Sequence, residues 1–166
     1  MGTRNLTVVK NLEGITKIAQ YGQWDGYPQH SGILALEFLR DKVNRDNLLV
    51  ELQNVEFIDE EEANAIYEGF DHDDNDPTKY LKAYPGLHRD TGIGILIEVA
   101  NTMKPIKTID NSEFAKDTLF CEGIYEVDFS IDKFISTYNG ITKEFFLENL
   151  PSDEHYLSAM GVEAFV

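Results

Sequence analysis

Cysteine is nearly missing from this chain, and the lone Cys121 excludes an internal disulfide and fits a reducing compartment. Apolar runs stay far short of the roughly 20 residues that a membrane-spanning helix needs. The N-terminus has no basic start followed by an apolar stretch, so no secretory signal is visible. Leu6 stands where a myristoylation pattern needs Ser or Thr. A cytoplasmic protein with no membrane contact is therefore expected. The four His show no metal-ligand spacing, so neither a metal nor a cofactor is expected.

Basic residues are absent from one long stretch. Between Arg45 and Lys79 there is no Lys or Arg, while twelve Asp and Glu fall in that interval. The net charge of −16 belongs mostly to this segment, spanning 46–78. Its sign disfavours direct nucleic-acid binding through phosphates. It suits a solvated face or a basic protein partner, with Glu60, Glu61, Glu62, Asp71, Asp73, Asp74 and Asp76 as the candidate contacts.

What is present fits one domain over 1–166. Hydrophobic content of 42% is enough for a globular core. Asn5 to Lys10 and Ile15 to Tyr21 are rich in β-branched residues and flank Asn11-Leu12-Glu13-Gly14, which predicts a β-hairpin. Gly22 to Gly32 is punctuated by Gly and Pro. Leu36, Leu39 and Val43 then predict one helix from about Ser31. Leu48 to Gln53, Asp59 to Phe70 and Thr78 to Ala83 also read as helix, and Thr91 is an expected N-cap for a helix through Asn101.

Towards the C-terminus, Tyr125, Val127 and Phe129 alternate with acidic residues, the pattern of a strand with one wet face. Phe134 to Tyr138 is the expected return strand, followed by the Asn139-Gly140 turn. Glu144 to Leu150 fits strand or helix. The fold class expected is α+β: an N-terminal hairpin, a helical middle and a C-terminal meander, in one largely antiparallel sheet packed by helices.

Trp24-Asp25-Gly26-Tyr27-Pro28 gathers two large aromatics and a carboxylate on a Gly/Pro turn. Such a turn can wall a pocket, or simply plug one end of a sheet. The opening Met1-Gly2-Thr3-Arg4, the Gln20-Tyr21-x-x-Trp24-Asp25-Gly26-Tyr27-Pro28 run, Arg89-Asp90-Thr91-Gly92 and Tyr125-x-Val127-Asp128 resemble a family of small, uncharacterised proteins. Its members occur in bacteriophages, bacteria and fungi, often beginning MGTR and carrying WDGYP or WDSYP. The resemblance implies a shared fold and a shared site, not a named reaction. It is dense in the first 28 residues and departs from the usual form at Gln29-His30-Ser31-Gly32, where relatives tend to carry more Gly.

On these grounds Thr3, Arg4, Tyr21, Trp24, Asp25, Tyr27, Arg89 and Asp90 are the candidate binding residues for a small polar molecule, a nucleotide-type signal among them. A phage setting would make the protein an anti-defence factor. The alternative is an acidic interaction protein that mimics nucleic acid towards a basic partner. A further alternative is an N-terminal-nucleophile hydrolase, in which loss of Met1 and Gly2 would free Thr3.

Three lookalike motifs are set aside. Asp71-His72-Asp73-Asp74-Asn75-Asp76 resembles a calcium loop, but its sixth position is Asp76 and Lys82 replaces the bidentate Glu. His88-Arg89-Asp90 lacks the other kinase signatures. Gly92-x-Gly94 lacks the third Gly and a preceding strand.

Overall fold

The N-terminal hairpin and the C-terminal meander lie in one five-stranded sheet. This is a computed structural model, and it describes residues 2–165. Strand β1 (Asn5–Lys10) pairs antiparallel with β2 (Thr16–Gly22) and parallel with β5 (Gly123–Asp128). Strands β6 (Lys133–Tyr138) and β7 (Ile141–Phe146) complete the antiparallel meander. The expected α+β class and largely antiparallel sheet are present. The β1–β5 pair is the parallel seam between the two halves.

Alternation along the strands divides the core in two. Val9, Ile18, Tyr125, Val127 and Phe134 face helices α1 (Ile33–Leu39), α2 (Lys42–Glu51), α5 (Ile95–Asn101) and α6 (Asp153–Ala159). Leu6, Val8 and Ala19 face the other way and are covered by Phe114, Cys121 and Ile124. β1 is an interior strand, flanked by β2 and β5 and buried along both faces from Asn5 to Val9.

Turn chemistry sets the register. Gly14 takes φ of +77°, and the Asn11 side chain accepts from the backbone of Glu13 and Ile15. Asn139 and Gly140 both have positive φ, the requirement of a type I′ hairpin.

The middle departs from expectation in several places. The single helix expected from Ser31 is a wide turn over Pro28–Gly32, then α1, then α2. Asp41 breaks it by capping α2, accepting from the Val43 N–H at 2.9 Å. Thr91 is not a side-chain cap: its hydroxyl donates to the Pro85 carbonyl, and a 3₁₀ turn at Gly92–Gly94 leads into α5. A small parallel sheet of β3 (Val55–Phe57) and β4 (Ile106–Thr108) was not expected. Glu144 to Leu150 resolves into the end of β7 and a 3₁₀ turn over Leu147–Asn149. The helices expected over Asp59 to Phe70 and Thr78 to Ala83 are present, α3 (Glu60–Gly69) capped by Asp59 and α4 (Lys79–Ala83), on either side of the 71–77 loop.

Candidate functional site

The Trp24–Pro28 loop is pinned at the end of the sheet where β1 and β5 begin and β2 ends. Asn5 does most of the pinning: its Nδ2 donates to the carbonyls of Thr3, Gly22 and Trp24 at 3.2, 3.3 and 3.1 Å. The Gly26 N–H donates to the Thr3 carbonyl at 2.9 Å, and the Tyr125 hydroxyl donates to the Gly26 carbonyl at 2.5 Å. Ser31 Oγ donates to the Asp25 carbonyl at 2.7 Å. Asp25 holds φ of +55°, a left-handed conformation that Asp tolerates better than most side chains. Asn5 was not among the expected residues. Only its position beside the opening motif pointed to it.

The loop presents two polar pairs. Trp24 Nε1 donates to Asp90 Oδ1 at 2.8 Å, and Arg89 Nε lies 3.9 Å from the same oxygen. The Tyr27 hydroxyl donates to Asp25 Oδ1 at 2.9 Å. That bond, with burial and the Asp25 charge, raises the Tyr27 hydroxyl above its ordinary pKa.

Strand alternation sends two expected members elsewhere. Arg4 and Tyr21 share the face of Leu6, opposite to Asn5. The Arg4 guanidinium stacks over the Phe120 ring at 5.2 Å, and Tyr21 packs edge-on against Phe114 at 5.1 Å. Among the described residues no ion pair within 4 Å joins Arg4 to Asp25. Thr3 enters through its backbone. The eight expected residues therefore fall into a Trp24–Asp90–Arg89 group, an Asp25–Tyr27 pair beside Thr3, and the outward-turned Arg4 and Tyr21. Gly2 fits closely too: a Cβ there would stand 2.1 Å from the Gln23 carbonyl oxygen and 2.6 Å from the Trp24 ring.

On the outer face, a cleft of about 700 Å³ lies between the segment preceding β5 and the β6–β7 turn. Ala115, Leu119 and Ile124 give it apolar walls, and Thr118, Glu122, Thr137, Tyr138 and Asn139 give it polar groups. It adjoins the loop end of the sheet. Gly123 pairs with Tyr138, and a Cβ on Gly123 would lie 2.3 Å from the Gly26 carbonyl oxygen. Cys121 also lines the cleft, and its thiol is pushed up to about 11 by burial and then by the Asp117 and Glu122 charges. Few residues in the sequence pointed to this site. Cys121 read as core, and the stretch before it carried no periodic pattern.

The acidic segment is differently organised. Glu60, Glu61 and Glu62 occupy the first turn of α3, where the helix dipole favours them. Glu62 pairs with Lys107 at 2.9 Å and Asp71 with Lys79 at 3.5 Å. Asp73 accepts from the Asn75 N–H. Asp76 accepts from the hydroxyl and N–H of Thr78, bonds that lower its pKa with help from Lys82 and Lys79. Asp74 is exposed. Among the described residues no three His, Cys, Asp or Glu are grouped to hold a metal. No described helix is long and apolar enough to cross a membrane.

No family model matches the chain, and neither curated proteins nor solved structures give a significant match.

Proposed function

We propose that this protein binds, or binds and processes, a small polar molecule at the loop end of its sheet, with the outer-face cleft as the binding site. The observation that carries the reading is the cleft itself. Its volume of about 700 Å³ falls in the range of small-molecule sites, and polar groups interrupt apolar walls as such sites require. The loop that carries the hydrogen-bonded Asp25–Tyr27 pair approaches the neighbouring Gly123 through its Gly26 carbonyl. Arg4 over Phe120 supplies a cation and a stacking platform beside the cleft. In a phage, one of the settings in which members of the resembled family occur, such binding would withdraw a signal molecule from a host defence.

The test is binding by backbone amide NMR against small metabolites, nucleotides included. Ligands of the cleft shift the amides of Thr118, Glu122 and Thr137 to Gly140. Ala115→Trp, at an exposed position in the wall, abolishes those shifts while leaving the remaining spectrum in place. A ligand whose shifts cluster at Trp24 and Asp90, and which ignores Ala115→Trp, would move the site to the other side of the loop.

A second reading has one observation in its favour: the carboxylates of the 46–78 segment include a run that is largely solvent-exposed and lacks any Lys or Arg of its own. In that reading the segment binds a basic protein surface. Asp73→Asn, Asp74→Asn and Asp76→Asn together would weaken such binding, and added salt would weaken it steeply. The cleft reading expects no effect of these changes.

A further inference from the structure

Three side chains on the helix-facing side of β1 and β2 hold polar atoms that no described residue serves. Asn5 and Thr7 are fully buried and Gln20 is 3% exposed, yet Asn5 Oδ1, Thr7 Oγ1 and Gln20 Oε1 each lack a hydrogen-bond partner among the described residues. An unserved polar group is costly in a folded interior, and neighbouring ones call for a shared explanation. The register groups these three. Thr7 stands opposite Gln20, and Asn5 lies two positions back on the same face, opposite Gly22. Asn5 Oδ1 lies 2.5 Å from where a Cβ on Gly22 would stand, so its side chain leans towards the strand that carries Gln20. The segment after His88 closes the site from above. A Cβ on Gly22 would meet the Gly92 Cα at 2.9 Å, and the Gln23 N–H donates to the Arg89 carbonyl at 2.9 Å.

The amide orientations are fixed by their other contacts. Asn5 Nδ2 donates to the carbonyls of Thr3, Gly22 and Trp24, so the remaining atom must be the oxygen. Gln20 Nε2 points at the His88 carbonyl at 3.5 Å, and a flipped amide would set oxygen against oxygen there. The site therefore offers two acceptors and one hydroxyl. We propose that one ordered water molecule sits between Asn5, Thr7 and Gln20, donating to the two amide oxygens and accepting from the Thr7 hydroxyl. Its three bonds serve all three atoms at once, and about three is the usual number for a buried water. A metal ion is the poorer occupant, because hard cations take about six or more oxygens, and these three are uncharged. The water ties β1 to β2, and through Gln20 to the segment that carries Arg89 and Asp90. It lies on the helix side of the sheet, opposite the outer-face cleft, and does not depend on it.

The test is a crystal structure of the full chain at a resolution that shows ordered water, beside one of a double variant, Thr7→Val with Gln20→Leu. In the wild-type chain a single density peak is expected about 2.6–3.0 Å from each of Asn5 Oδ1, Thr7 Oγ1 and Gln20 Oε1. The double variant leaves that water one partner, and the peak should be lost. Several wild-type results would overturn the proposal. One is direct hydrogen bonding among the three side chains with no peak between them. Another is a peak that touches only one or two of the three atoms. A third is a peak ringed by five or six oxygens at about 2.3–2.5 Å, which marks a cation instead of water. A peak that persists unchanged in the folded double variant would overturn it as well, since the three side chains would then not be what holds it. If the double variant fails to fold, the wild-type structure alone decides.

Discussion

The Tyr125 hydroxyl donates to the Gly26 carbonyl at 2.5 Å, joining the middle of β5 to the Trp24–Pro28 loop across 99 positions of sequence. Tyr125 is buried at 1% exposure, so the carbonyl it serves has little access to water as a substitute. Tyr125→Phe keeps the ring and removes the donor. The expected cost is about 1–3 kcal/mol, the penalty of leaving a buried polar group unpaired. Chemical denaturation would read this as a lower midpoint with an unchanged slope. A midpoint equal to wild type would mean that the loop is not anchored through this bond.

Glycine contacts around the same loop give a paired test. Gly123 has no room for a Cβ, which would meet the Gly26 carbonyl oxygen at 2.3 Å and the Tyr125 ring at 3.1 Å. Backbone stands on one side and a buried ring on the other, so neither yields cheaply. Gly123→Ala should destabilise by several kcal/mol, on the order of other overpacked interiors. Gly69, at the end of α3, has nothing within 4 Å of its ideal Cβ. Gly69→Ala should stabilise by about 0.4–1 kcal/mol, chiefly by narrowing the unfolded ensemble. Thermal melts of the two variants should move in opposite directions.

Much of the sheet was legible because its signals are local. The β1–β2 hairpin is announced by Asn11 and Gly14, and the β6–β7 hairpin by Asn139-Gly140, each residue type fitting the backbone that its turn requires. Helix α3 is announced by Asp59 and three following Glu. Strands β3 and β4 have three residues each and find their partners some fifty positions apart, too short and too distant for periodicity to show. For the site, the loop was visible through its composition. Its division was not, because Arg4 and Asn5 are neighbours in sequence and alternate to opposite faces of β1. The cleft depends on an irregular segment folding across the outer face, which no short pattern encodes.

Cys121 supplies a pH prediction. Its thiol rises from an ordinary 9.0 to about 11, first through burial and then through Asp117 and Glu122. The folded state therefore holds this proton more tightly than the unfolded state does. The corresponding stability is fully present below about pH 9 and is lost as pH climbs towards about 11. Stability measured across that window should fall for wild type and fall less for Cys121→Ala. At mildly alkaline pH, alkylation should run about ten- to a hundredfold slower than for a free thiol, since the thiolate fraction drops more than its nucleophilicity rises. Alkylation at the free-thiol rate would show that Asp117, Glu122 and burial do not act on this thiol as described.

The acidic segment needs something to hold its shape, because its carboxylates repel and few cations lie within reach. Aromatic rings take that part. Tyr80 sits 5.1 Å from Tyr67, 5.2 Å from Phe70 and 5.6 Å from Tyr84, ring centre to ring centre, and tilts against His72 at 5.5 Å. Lys79 lies over Phe70 and donates to the Asp71 carbonyl, tying the loop to the same cluster. Edge-to-face pairs of this kind each contribute about 0.5–1.5 kcal/mol beyond the area they bury. Tyr80→Ala removes the ring common to these contacts. The loop from 71 to 78 should then open locally, with cleavage there by an acid-specific endoprotease rising about tenfold or more for a local loss of roughly 1.4 kcal/mol or above. Amide exchange in β1 and β5, which share no ring with the cluster, should stay at wild-type rates. Cleavage that remains slow in Tyr80→Ala would show that the loop is held by its own turns at Asp73 and Asp76. Exchange that accelerates throughout the sheet would show that the cluster belongs to the global core.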